Sequence, residues 1–236
     1  MFGLVLRLAL LVALPFILVF FVMPMPGLAP AWDFANAAGL LAAIILLLLF
    51  LYHGRPLPQP FFDGKFFMLL HRNMGYLALL FLLVHIGILL FNEPQLLDEL
   101  LPSAPWFMLA GLLASLLLLA LIPLSLQAVR HKVWGRHARF KHWHYWVSAA
   151  IVVLAAIHIL GAGFYTGTFW KGLLWSALTA AALLWPKLSS PMPRHGPGNR
   201  RRRTAFLASR LSIGLWLSAL VLAGLFALLA NSDFPL

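Results

Sequence analysis

Seven stretches of this chain are apolar over lengths near the about 20 residues that a helix needs to cross a bilayer, and no soluble fold accommodates that pattern. They cover residues 4–23, 34–52, 66–91, 106–126, 143–164, 168–185 and 205–230, most of the 236 available. Proline punctuates the breaks, at Pro24, Pro26 and Pro30, Pro56, Pro58 and Pro60, Pro102 and Pro105, and Pro186 to Pro197. The expected fold is all-α: a polytopic transmembrane helical bundle of about seven helices, forming a single membrane domain over residues 1–236. Charged residues make up 10% of the chain, against about 25% in ordinary soluble domains.

The loop charges orient the bundle. With the N-terminus in the cytoplasm and sides alternating, sixteen of the 17 lysines and arginines fall inside, and only Lys171 falls outside. The acids invert this: Asp33, Glu93, Asp98, Glu99 and Asp233 lie outside and Asp63 inside. This is the positive-inside bias, and it predicts an N-in, C-out protein. The net charge of +11 is therefore read as a topology signal, with the lipid bilayer and not nucleic acid as its partner. A cleaved leader is the competing reading of residues 1–23. That run is long for an h-region of about 7–15 residues, and proline crowds the cleavage site. Trp32, Trp106, Trp134, Trp143, Trp170 and Trp185 fall near expected helix ends, as an interfacial aromatic belt requires.

The chain has no cysteine, which excludes disulfides, iron–sulfur clusters, thiolate zinc sites and cysteine nucleophiles. Redox chemistry would need a bound cofactor. The conspicuous polar residues within the apolar runs are histidines, which are costly there and functional candidates by default. His71 and His85 stand fourteen residues apart in the third run; His144 and His158 stand fourteen apart at and within the fifth. Fourteen steps of about 100° miss whole turns by only about 40°, so each pair shares a helix face, its members about 21 Å apart along the axis. Two stacked levels follow, His71 with His144 inside and His85 with His158 outside.

Two neutral imidazoles facing each other suit the axial positions of a heme iron. Zinc would want further ligands, and neither pair has a nearby Cys, Asp or Glu. His142 is the rival of His144, but its sixteen-residue spacing from His158 turns it to the opposite face. Gly75 and Ala78 would let a porphyrin approach the third helix, and Arg72 could pair with an inner-heme propionate. Helix-packing or proton-carrying histidines in a heme-free transporter or scaffold remain the alternative. His53, His131, His137 and His195 fall in loops or at helix ends, at the wrong depth for either level.

The paired histidines, together with QAVRHKVWGRHARFKHWHYW leading into the fifth run, resemble the ferric reductase-like transmembrane domain superfamily. That superfamily includes the membrane domains of NADPH oxidases and ferric reductases and the heme-binding membrane subunit of the bacterial methionine sulfoxide reductase system. The resemblance covers about residues 53–185, read as the heme-binding core. It implies two bis-histidine b-type hemes on His71, His85, His144 and His158, carrying electrons across the membrane.

Residues 187–204 read as a basic cytoplasmic linker and 205–230 as an additional C-terminal helix, a departure from that pattern. No flavin or nicotinamide domain is recognisable in the sequence, and GAGFYTG from Gly161 is a turn, not a dinucleotide fingerprint. The expected role is therefore an oxidoreductase component in a bacterial inner membrane. It would be served by a separate cytoplasmic flavoprotein reductase and would pass electrons to an outer-face acceptor, including an acceptor protein. A quinol- or quinone-linked cytochrome b anchor is the alternative that also needs heme.

Overall fold

The computed structural model describes residues 2–22, 27–51, 64–188 and 201–232. Each of the seven apolar runs is helical there: α1 (Phe2–Phe20), α2 (Pro30–Leu51), α3 (Gly64–Asn92), α4 (Trp106–Ser125), α6 (His137–Ala162), α7 (Phe169–Leu188) and α8 (Arg201–Ala230), with a short α5 (Gln127–Trp134) between α4 and α6. A 3-10 segment, Pro94–Leu100, joins α3 to α4. Six of these helices are long and apolar enough to cross a membrane; α7 is not among them, because Lys171, three tryptophans and Pro186 dilute its apolar character. His53, Arg55, Arg194, His195 and most of the linker read over 187–204 lie outside the described residues. The two ends of that linker are helical, in the last turn of α7 and the first of α8.

The fifth helix starts earlier than its apolar run, at His137 rather than 143. The stretch HARFKH is polar, so an apolar scan registers only the part of α6 that would lie in hydrocarbon. Before it, α5 runs up to Gly135, whose φ of 62° ends that helix, and Arg136 is extended, so the chain changes direction between α5 and α6. α5 went unread for the same reason: it is basic and short, QAVRHKVW.

α2 is the central helix. It packs against α3, α8, α7, α1 and α6, and its many small buried residues (Ala35, Ala37, Ala38, Ala42 and Ala43) let neighbouring backbones approach closely. The most extensive helix pairings are α2 with α3 and α4 with α6. Each joins one helix bearing two candidate histidines to one that bears none, and this arrangement builds the site.

The ends of α2, α6 and α8 are tied together by one buried acid. Asp33 is fully buried in the first turn of α2, where its charge also suits the helix dipole. Its carboxyl accepts from Tyr165 Oη at 2.5 Å, Asn231 Nδ2 at 2.8 Å and the Leu28 backbone N–H at 3.1 Å. Burial, and then the hydrogen bond to Asp33, push the Tyr165 phenol above the ordinary tyrosine value, so it stays protonated as a donor at neutral pH. Stranding these three donors costs about 1–3 kcal/mol for each one left without a partner. Asp33→Ala is therefore expected to destabilise the bundle by at least about 2 kcal/mol, seen as a lowered midpoint of thermal unfolding in detergent, with Asp33→Asn intermediate. An unchanged midpoint would refute this account of the clasp.

Lys171 has a structural role. Its side chain is buried at 2% exposure, and its Nζ donates to the Val19 carbonyl at 2.6 Å. It satisfies an orphan acceptor at the C-terminus of α1, where the helix dipole favours a cation.

Candidate functional site

Helix periodicity puts the two histidines of each helix on one face. The helices α2 and α4, which both pack against α3 and α6, bridge the two, and the four histidines fall in two tiers, named inner and outer after the orientation expected from the loop charges. In the inner tier the rings of His71 and His144 lie 6.0 Å apart between centroids, inclined at 54°. Two metal–nitrogen bonds of about 2 Å laid end to end, together with the half-widths of two imidazoles, occupy close to that span. In the outer tier His85 and His158 line one cavity of about 260 Å³. Its lining is apolar apart from these two rings and Asn36, Ser115, Tyr165 and Thr166, as expected of a cofactor site with few polar groups.

The rings are held from behind. His85 Nδ1 lies 2.9 Å from the Ala35 carbonyl on α2, and His158 Nδ1 lies 3.1 Å from the Phe107 carbonyl on α4. A carbonyl only accepts, so Nδ1 carries the proton in both rings and Nε2 keeps the lone pair that a metal requires. One turn beyond each carbonyl stands a glycine against the ring face. A Cβ on Gly39 would come within 2.8 Å of His85 Nδ1, and one on Gly111 within 2.6 Å of His158 Nδ1. The two helix pairs, α2 with α3 and α4 with α6, thus repeat one device, a carbonyl and then a glycine four residues on, which seats a histidine of the neighbouring helix. Gly161 on α6 extends it, lying directly against Phe107 Cβ so that α6 can approach α4.

The chain belongs to the ferric reductase-like transmembrane family. Its match to the family described as "Ferric reductase like transmembrane component" runs over residues 38–155, half of the chain, from α2 through most of α6. The match takes in His71, His85 and His144 and stops just short of His158. No curated protein and no solved structure matches the chain. As a ferric reductase-like membrane domain, it is a multi-pass membrane component of the electron-transfer type.

The other candidates take these positions. His142 is exposed, with its ring beside Trp143 and Trp146 at 5.9 and 6.3 Å. Arg72 is exposed, next to His71 on α3. A Cβ on Gly75 would meet no atom within 4 Å, while Ala78 is buried. His131 and His137 are exposed on the basic corner made by α5 and the start of α6. Among the described residues no group of three or more His, Cys, Asp or Glu could hold a metal ion, so any metal would have to be held by pairs. The residues present fit heme: two imidazoles in each tier, with His85 and His158 keeping Nε2 free of the proton and lining an apolar cavity.

Sequence reasoning missed Gly39, Gly111 and Ser125, whose oxygen lies 3.2 Å from His144 Nδ1. A glycine or serine in an apolar run carries no distinguishing signal until its neighbour across the bundle is known.

Proposed function

We propose that this protein carries electrons across the membrane on two bis-histidine b-type hemes, one held by His71 and His144 and the other by His85 and His158. The observation that carries this reading is the repeated seating of His85 and His158, each hydrogen-bonded through Nδ1 to a backbone carbonyl and facing one apolar cavity. Metal-binding histidines are characteristically oriented by such a second bond. Heme supplies the one-electron couple when bound. The protein's own work is to fix four rings, exclude water with apolar side chains, and hold the tiers at different depths.

The N-in, C-out topology belongs to this proposal, and it requires α7 to cross the membrane along with the six more apolar helices. The inner tier then lies toward the basic corner where Arg130, Lys132, Arg136, Arg139 and Lys141 cluster, a surface suited to an acidic cytoplasmic flavoprotein using a nicotinamide donor. The outer tier faces an acceptor across the membrane, and Arg72, adjoining His71, would serve an inner propionate. In a bacterium the inner membrane would house this arrangement. The heme-binding core is read as residues 53–185 and α8 as an addition to it.

The test is the visible spectrum and heme stoichiometry of the purified protein. Two six-coordinate, low-spin b-type hemes per chain are expected. A colourless preparation, after expression with adequate heme supply, overturns the reading and returns the histidines to packing or proton transport. Reduction by a flavin reductase, and not by quinol, is the expected donor result.

A further inference from the structure

We propose that Ser125 is a positioning residue for the inner tier: by accepting a hydrogen bond from the Nδ1–H of His144 it sets that ring's tautomer and angle, and so tunes the inner heme independently of the outer one. This rests on the two-heme reading above. The Ser125 hydroxyl has a single proton, and its oxygen lies 2.7 Å from the Leu121 carbonyl, an acceptor only. Its oxygen also lies 3.2 Å from His144 Nδ1. Both bonds form together only when the serine donates to Leu121 and the histidine donates to the serine. Nε2 of His144 is then left with its lone pair, as in the outer rings.

The surroundings hold Ser125 in this role. Pro123 has no N–H to continue the ladder, and α4 stops two residues later as Leu126 turns extended and its N–H bonds back to the Pro123 carbonyl at 3.1 Å. Trp134 Nε1 donates to the Leu124 carbonyl at 3.2 Å and clamps α5 beneath the corner. Phe140 covers His144, with ring centroids 5.1 Å apart, and the Arg130 guanidinium caps Phe140 at 5.1 Å. The histidine is thus confined by the hydroxyl, Phe140 and His71. The tiers differ in one respect: the outer rings are oriented by backbone carbonyls, which no substitution removes, whereas His144 depends on a side chain.

Removing the acceptor lowers the basicity of His144 as a ligand and weakens its preference for ferric iron. Losing such an outer partner typically costs about 10–100-fold in metal affinity. A tenfold loss confined to the ferric state raises a one-electron potential by about 59 mV. The experiment is a redox titration with heme quantification on the whole purified protein, comparing wild type with Ser125→Ala, Ser125→Thr and Ser125→Val.

Ser125→Ala should raise the potential of one heme, or loosen its retention about tenfold, and leave the other heme unmoved. Threonine should behave as wild type, while valine, which has threonine's shape without its hydroxyl, should behave as alanine. The proposal is overturned if alanine leaves both potentials and both retentions unchanged, or if threonine and valine prove equivalent, which would make the site one of shape alone. A heme-free wild type would instead overturn the parent reading.

Discussion

Alanine at His85 or His158 is expected to reduce the heme content from two per chain to one, and alanine at His71 or His144 to do the same with the opposite heme surviving. The expectation follows from independent seating. His85 leans on the Ala35 carbonyl of α2 and His158 on the Phe107 carbonyl of α4, whereas His71 and His144 meet each other and the Ser125 corner. Because no ring belongs to both tiers, losing one ligand removes one site and leaves the other's packing in place. Electron passage across sealed vesicles should fall at least about 100-fold for all four variants, the scale on which losing a positioned group degrades chemistry. Heme quantification by alkaline pyridine and redox titration read the two hemes separately. Equal loss of both hemes from every variant would identify a folding defect in place of two sites, and undiminished heme would remove the histidines from the site altogether.

The bilayer explains why so much of this architecture is visible in one dimension. Hydrocarbon leaves unpaired backbone groups without partners, so each long apolar run has to be a helix. Histidine is rare enough at that depth for a fourteen-residue spacing to stand out on both α3 and α6. What lies outside hydrocarbon is less legible. The stretch from Gln127 to His142 carries no apolar periodicity, so α5 and the first turns of α6 went unread although both are helical.

The supports of the site are hidden for another reason. His85 reaches a carbonyl 50 residues away and His158 one 51 residues away; a backbone acceptor leaves no trace in residue identity. Gly39 and Gly111 sit in runs where glycine ordinarily serves helix packing, and nothing in the sequence distinguishes them from Gly75, which stands out only because it follows His71. Lys171 misleads in the opposite sense. As a lone cation outside, it looks like an exception to the charge bias, and it is a buried cap on α1.

Gly111→Ala separates a ligand cradle from an idle helical glycine, because the two readings predict opposite signs. In a helix interior alanine is preferred over glycine by about 0.8–1.0 kcal/mol, so a glycine needed for nothing should give a more stable protein when replaced. Here the added Cβ would lie 2.6 Å from His158 Nδ1 and 2.7 Å from Cγ, against the base of the ring and not a flexible tip. Either the imidazole leaves the Phe107 carbonyl or α4 and α6 separate, and both displace Nε2. The expected result is loss of the outer heme, from two per chain to one, with the inner heme retained. Gly39→Ala should act alike through His85, where the nearest approach is 2.8 Å. Gly214→Ala, whose Cβ would meet no atom within 4 Å, should keep both hemes. If Gly111→Ala and Gly39→Ala keep two hemes at wild-type potentials, the glycines do not seat the rings, and the outer cavity tolerates a side chain where the geometry says it cannot.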